Sequence, residues 1–272
     1  MKGAISALSI ETPRSLDDAL SMLRDESLTP IAGATDLYVG LNFGTLTSRR
    51  FMDIARLDEL KGIVERDNLL VIGAGTSFTR IMHSPLVRGR LPMLSQAASQ
   101  IGGVQIQNRA TLGGNIANGS PAGDSLPVLA AADAVVVLRS ASGERRVPFV
   151  QFYTGYRASV MQRTELIVSV EIPPVHGIQW FRKVGTRAAQ AISKLVMAGI
   201  RSPVPRIAMG SVAATTIRLS RTEAALASGA TIEEAKTALE SEIVPIDDIR
   251  SSASYRRHVA SNLLQRFWAD TA

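Results

Sequence analysis

Between Ile101 and Asp124 the chain reads IGGVQIQNRATLGGNIANGSPAGD, which sets Gly102, Gly103, Gly113, Gly114, Gly119 and Gly123 among Gln, Asn, Thr and Ser. Residues without side chains let the backbone come close to a ligand and turn its N–H groups toward it, which suits a phosphate or pyrophosphate. Arg109 can add positive charge beside TLGG, and Asp124 ends the run with a carboxylate of the kind that takes sugar hydroxyls. A surface loop has the same composition, so the rest of the chain has to decide. A second stretch of similar character, TPIAGATDLYV from Thr29 to Val39, gives a short apolar step, then Ala32-Gly33-Ala34, then Thr35-Asp36 as candidate caps for a helix. Strand, small-residue turn and helix start make a second anion cradle.

The totals narrow the chemistry. With 272 residues, 46% hydrophobic and 20% charged, the chain reads as soluble and large enough for two domains, one of them subdivided. It has no Cys, which excludes disulfides, a cysteine nucleophile and a thiolate-held iron–sulfur cluster within the chain. His83, His176 and His258 are far apart and lack metal-ligand spacing, so no metal site is expected. The net charge of +6 is scattered, without a basic stripe interleaved with aromatics, and points to an anionic ligand or acidic partner rather than nucleic acid. No segment approaches a membrane span or a secretory signal, which makes the cytoplasm the default location.

The elements that must position these residues follow from pattern. After a strand around Ile5 to Ile10, Ser15 and Asp18 form a capping-box signature ahead of Leu16, Ala19, Leu20 and Leu23 at helical spacing. Phe51 to Ile54 closes a compact β/α subdomain. GIVER and LLVIGAG flank Asp67-Asn68 and predict a hairpin. Gly73-Ala74-Gly75 imitates a dinucleotide fingerprint, but the third glycine falls at Phe78, so a tight strand-to-helix turn is the better reading. Pro92 to Ala98 and Ser125 to Ala132 read as helices around the glycine-rich run, followed by strands at Ala134 to Leu138 and Arg145 to Val147. FYTGYR, Phe152 to Arg157, concentrates aromatics around a glycine, and loop packing is its simplest reading. Glu165 to Ile172 is a strong strand closed by Pro173-Pro174, the clearest domain boundary. Beyond it come strands at Gln179 to Val184 and Pro205 to Ala213. Helices follow at Thr222 to Ala227, at Thr231 to Leu239 with a Thr231/Glu234 capping box, and at Ser254 to Trp268, where Val259, Leu263, Arg266 and Phe267 share a flank.

With these elements in place, the sequence resembles the FAD-binding medium subunit, or flavoprotein domain, of the molybdenum hydroxylases, the family of xanthine dehydrogenase and carbon monoxide dehydrogenase. The resemblance covers nearly the whole chain. It is carried, in order, by IAGATDL at Ile31 to Leu37, TLGGNIANGSPAGD at Thr111 to Asp124, FYTGYR, ELIVSVEIP at Glu165 to Pro173 and FRKVGTRAAQAIS at Phe181 to Ser193. The ending SSASYRRHVASNLLQRFW looks most like the xanthine dehydrogenase branch.

The resemblance implies an α+β architecture. An FAD-binding fold of the vanillyl-alcohol oxidase and p-cresol methylhydroxylase type would occupy 1–174, as two α+β subdomains at about 1–56 and 57–174. A small α+β C-terminal domain with an antiparallel sheet and helices would occupy 175–272. By matching position, Ile31, Ala32, Gly33, Ala34, Thr35, Asp36, Leu37 and Tyr38 would wrap the FAD pyrophosphate, and Thr111, Gly113, Gly114 and Asn115 would close its second side. Asp124 would fall near the adenosine ribose, with Ile101, Ile167 and Lys183 toward the isoalloxazine end. Three departures stand out: Ile101 where xanthine dehydrogenases often carry an aromatic, Ala191 where the family usually has Asp, and a turn between Ala198 and Pro205 that looks short. They bear on flavin potential and final oxidant rather than on FAD binding.

The function so implied is electron transfer, with no catalytic acid or base of the chain's own. Hydroxylation would occur at molybdopterin on a large subunit; 2Fe-2S clusters on a small subunit would carry electrons to this noncovalent FAD, and NAD or another acceptor would receive them. Two alternatives are a stand-alone flavin oxidase, for which the sequence offers no evident acid–base pair, and a structural subunit that has lost its flavin, which the intact glycines and Asp124 disfavour.

Overall fold

The structure, a computed structural model, describes residues 8–272. The strand expected around Ile5 to Ile10 lies partly outside them; within them β1 is Ser9–Glu11. Helix α1, Leu16–Asp25, starts where Ser15 Oγ accepts the N–H of Asp18 at 3.1 Å, and it buries Leu16, Ala19, Leu20 and Leu23. The other half of the capping box is displaced by one residue, because the Asp18 carboxylate accepts from the N–H of Arg14 at 2.8 Å. Strand β2 (Thr29–Ile31), helix α2 (Thr35–Phe43) and strand β3 (Arg50–Asp53) follow. They complete a parallel sheet in the order β1-β3-β2, the compact β/α subdomain expected.

Strands β4 (Ile63–Arg66) and β5 (Leu69–Gly73) form the hairpin, and Asp67 and Asn68 both take the left-handed conformation (φ 51° and 62°) that a two-residue hairpin turn needs. Gly73 and Gly75 then pass the carbonyl of Leu60 so closely that a Cβ would lie 2.5 and 3.0 Å from its oxygen. Helices α3 (Phe78–His83), α4 (Pro85–Arg90) and α5 (Pro92–Ser99) lead to the glycine-rich run. That run is not a loop. It folds into two short helices, α6 (Val104–Arg109) and α7 (Leu112–Asn118), the second capped by Thr111 and anchored by buried Leu112 and Ile116.

Helix α8 (Leu126–Ala131) and strands β6 (Val135–Ser140), β7 (Gly143–Pro148), β8 (Tyr153–Gly155), β9 (Ala158–Ser159) and β10 (Leu166–Ile172) complete the larger unit. Its antiparallel sheet runs β4-β5-β10-β6-β7. FYTGYR divides in two. Phe152 is buried and Tyr153 packs edge-on against Phe149 and Phe152, while Tyr156 and Arg157 stand exposed at the tip of the β8–β9 hairpin. Tyr153 donates its phenolic proton to the Ile116 carbonyl at 2.8 Å, and burial pushes its pKa up.

Past Pro174, strands β11 (Ile178–Val184), β12 (Leu195–Arg201), β13 (Arg206–Gly210) and β14 (Ile217–Arg218) form an antiparallel sheet in sequential order. Pattern reading did not assign β12, and the short turn noted before Pro205 is the β12–β13 connection. Each of Leu195 to Ile200 is buried, with Val196, Ala198 and Ile200 facing the main core and Leu195 and Met197 facing the C-terminal helices. A strand covered on both faces carries no polar alternation to read. Helices α9 (Ser220–Ala227), α10 (Ile232–Glu242) and α11 (Ala253–Asp270) cover the outer face. The packed flank of α11 is Arg256, Ala260, Leu263, Leu264 and Phe267; of the flank expected, Leu263 and Phe267 are buried and Val259 is half-buried against the same core, while Arg266 is exposed and pairs with Asp270 at 2.7 Å. Gly199 is needed here because a Cβ would sit 2.7 Å from the Phe267 ring.

One ion pair fixes the approach to β10. Arg145 on β7 clamps Glu165 through two bonds of 2.6 and 2.8 Å, and the N–H of Gln162 adds a third at 2.7 Å. The Arg145 guanidinium holds the Glu165 carboxyl below the usual carboxylate range. The unfolded chain therefore takes up this proton more readily than the native one. The contribution is present above the ordinary glutamate range and is lost as pH falls through the lowered native value. Since Arg145 is 40% exposed, solvent screening limits the pair, and Glu165→Gln is expected to cost about 1 kcal/mol at pH 7. Urea titrations at pH 7 and at a pH below the ordinary glutamate range check the linkage; an equal loss at both would contradict it.

Candidate functional site

Three segments distant in sequence meet at one place. Gly33, in the turn after β2, lies against the start of the second glycine motif: a Cβ on it would be 2.0 Å from the Arg109 carbonyl oxygen and 3.0 Å from the Ala110 Cα. Ala110 in turn accepts the N–H of Phe78 at 3.1 Å, and Leu112 and Gly113 donate to the carbonyls of Thr76 and Ala74 at 3.1 and 2.8 Å. Gly113 is also tightly placed, with a Cβ position 2.6 Å from the Ala74 methyl. Gly33 and Gly113 are thus required first for chain-to-chain contact. Ligand approach is a separate use of the same space.

The two cradles differ in their free donors. At α7, the N–H of Gly114 goes to Thr111 Oγ1 at 3.1 Å and that of Asn115 to the Thr111 carbonyl at 3.0 Å, so the first turn of this short helix is already engaged. At α2, Ala34 is the N-cap, in the left-handed conformation (φ 60°) and without a side-chain cap. Thr35 and Asp36, expected as caps, are instead the first two helical residues. The first return bond is from Tyr38 N–H to the Ala34 carbonyl at 3.1 Å. Among the described residues, the N–H groups of Thr35, Asp36 and Leu37 have no partner. A helix start with free donors and no side-chain cap is suited to an anion. A group with two linked phosphates fits this end of the site: α2 offers donors, and the Arg109–Ala110 segment that Gly33 touches carries the exposed Arg109 side chain and leads on to the exposed Gly114. Ile31, Ala32, Gly33, Ala34, Thr35 and Leu37 are half-buried there, and Asp36 and Tyr38 are exposed.

Two of the other sequence-predicted residues, Asp124 and Lys183, meet on the side closed by the C-terminal sheet. Lys183 on β11 donates to Asp124 Oδ2 at 2.6 Å and to the Gln100 carbonyl at 2.8 Å, and the side chains of Lys183 and Asp124 are each only 7% exposed. This corrects their assignment to opposite ends of an extended dinucleotide, since directly bonded side chains cannot stand at both. Burial pushes the Asp124 carboxyl above the ordinary range, against the pull of Lys183 and of Ser193, whose hydroxyl donates to Asp124 Oδ1. Ile101 follows Gln100 directly and is half-buried, Ile167 is buried in the main core, and Asn115 Oδ1 accepts from Ser125 at 2.7 Å. Sequence reasoning did not single out Ser193 as a site residue, nor Gln190, whose side chain lies 3.2 Å from the Cβ position of Gly103. Neither Ser nor Gln at such spacing carries a signal before the chain is folded.

A helix start with free donors, set against a second α+β unit, defines an anion-binding site of the kind that takes a nucleotide's phosphates. The chain belongs to the family described as the FAD binding domain in molybdopterin dehydrogenase, whose family model matches residues 6–175, and its remainder matches the CO dehydrogenase flavoprotein C-terminal domain at residues 183–271. It is 31% identical to the carbon monoxide dehydrogenase medium chain of Hydrogenophaga pseudoflava over 93% of each chain. It is 32% identical to the xanthine dehydrogenase FAD-binding subunit of Escherichia coli O157:H7, over 92% of this chain and 91% of that one. A solved carbon monoxide dehydrogenase from Hydrogenophaga pseudoflava, lacking the Mo-pyranopterin moiety of its cofactor, superposes with a TM-score of 0.91 and 29% identity, covering 97% of this chain and 98% of that chain. The architecture expected from the motifs, an FAD-binding unit followed by a small C-terminal α+β unit, is the one found. No helix among the described residues is long and apolar enough to cross a membrane.

Proposed function

We propose that this chain binds FAD noncovalently and serves as the electron-transfer subunit of a multi-subunit molybdenum hydroxylase. It would take electrons from iron–sulfur clusters on a small partner and pass them to NAD or another acceptor, while a molybdopterin-bearing large partner hydroxylates the substrate. The observation that carries the reading is the uncapped start of α2, where free N–H groups stand beside the Arg109–Gly114 segment. FAD supplies the redox chemistry when bound, and the chain's own part is binding, orientation and electrostatics. The N–H groups of Thr35, Asp36 and Leu37 would hold the diphosphate. Lys183, fixed by Asp124 and Gln100, would set a positive charge near the flavin.

The test is the visible spectrum of the purified chain before and after incubation with FAD and desalting, compared with Gly114→Glu. A Cβ at position 114 meets only Thr111 Oγ1, at 3.0 Å, so this variant is expected to fold. Its carboxylate would repel a diphosphate, and the wild type alone should retain flavin. Acid precipitation should leave the flavin in solution. A wild-type chain that stays colourless when saturated with FAD, alone and with its partners, would remove the reading.

A further inference from the structure

A chain of buried polar groups runs from the C-terminal helix to Asp124. Arg256 on α11 is 5% exposed; its guanidinium donates to the Ser211 carbonyl at 3.0 Å and to Asp248 Oδ1 at 2.7 Å. Ser211 is a non-glycine residue at φ 66°, and each of its polar groups is used. Its N–H donates to the Pro121 carbonyl at 2.8 Å and its hydroxyl to the Ser193 carbonyl at 3.2 Å, while its own carbonyl receives Arg256. Ser193, 1% exposed, then donates to Asp124, and Asp124 holds Lys183. Gly210, next to Ser211, is pressed onto the same loop, since a Cβ there would lie 2.7 Å from the Pro121 oxygen.

Burying this many polar groups is weak support for stability, because a well-packed apolar arrangement does as well. What such a network supplies is a single geometry, and a left-handed non-glycine residue persists only where its surroundings over-determine it. We propose that Arg256 and Ser211 are positioning residues. Through Ser193 and the Pro121–Asp124 loop they hold the Asp124–Lys183 pair in place, so that the C-terminal domain sets the electrostatics of the cofactor site. This rests on the FAD reading only for its consequence at the flavin. The positioning itself exists in the chain without cofactor.

The experiment therefore has two readouts, on the full chain. In the first, lysines are labelled with an amine-reactive reagent without flavin and quantified by mass spectrometry for wild type, Arg256→Met, Arg256→Lys and Ser211→Ala. Lys183 is buried and should label slowly. Arg256→Met and Ser211→Ala should raise its labelling about tenfold, while Lys61 and Lys236, remote from the network, stay unchanged and Arg256→Lys falls between. A uniform rise at Lys61, Lys183 and Lys236, or none at Lys183, overturns the proposal by showing a purely structural role. In the second, the midpoint potential and visible band shape of bound FAD are compared among folded, flavin-loaded variants. Arg256→Met and Ser193→Ala should shift both in the same direction, and combining them should add little. Unchanged flavin properties beside selective Lys183 exposure would overturn the link to the cofactor site. A wild type that binds no FAD would instead fail the functional reading and leave the labelling result standing.

Discussion

Gly33→Ala is expected to abolish FAD retention and to lower the stability of the chain by about 2–3 kcal/mol, the upper part of the range for overpacking a closed site. The new methyl carbon would sit 2.0 Å from the Arg109 carbonyl oxygen and 2.6 Å from its carbon, and both obstacles are backbone. No rotamer change relieves such a contact. The turn after β2 and the α6–α7 connection must separate by more than an ångström. That separation moves the free N–H groups at the start of α2 away from the α6–α7 connection, and a diphosphate held between them depends on their spacing. Thermal denaturation and desalting after FAD incubation measure the two effects independently. Gly114→Ala is the control: the same methyl there meets only a hydroxyl at 3.0 Å, so flavin should be retained with little change in stability. Equal behaviour of the two variants would show that the approach of the segments does not build the cradle.

The same contact explains what pattern reading reached and what it missed. The two glycine-rich segments were legible as a pair of small-residue turns, because only residues without bulk allow Gly33 to touch Arg109 and Gly113 to touch Ala74. Helix α1 was legible from Leu16, Ala19, Leu20 and Leu23, and α10 from Thr231 and Glu234, whose reciprocal capping bonds are formed. Local chemistry decides such features, and it is written locally. The α6 and α7 helices were not legible, since each is under two turns, and α7, rich in poor helix formers, is held by tertiary burial of Leu112 and Ile116. Strand β12 was silent because both its faces are covered. The pairing of Asp124 with Lys183 joins residues 59 positions apart, and the contribution of Ser193 depends on a loop whose path is set by the C-terminal sheet. Family likeness named the first two of these residues, and only the fold placed them on each other.

That pairing leads to an expected result that separates stability from function. Asp124→Ala should cost about 3–5 kcal/mol, because Lys183 keeps its buried place with only the Gln100 carbonyl as partner. The loss has a ceiling, since an unpaired buried ammonium can shed its proton rather than remain charged. Lys183→Met should cost less, as Ser193 continues to donate to Asp124 and a carboxyl left without its cation can take up a proton. Combining Lys183→Met with Asp124→Leu should restore most of the stability, because two apolar side chains of similar volume replace a pair whose desolvation offsets its attraction. Function is expected to diverge from this order. Without the ammonium, bound FAD should show a lower midpoint potential, by about 30 mV or ~1.4 kcal/mol for a two-electron couple, the neighbouring carboxylate having already offset part of the charge. Urea titration and a redox titration of the same four proteins check both orders. If the apolar double variant matches wild type in stability and also in potential, the buried pair serves the fold alone; if it is stable and its potential falls, the pair is kept for the electrons that pass beside it.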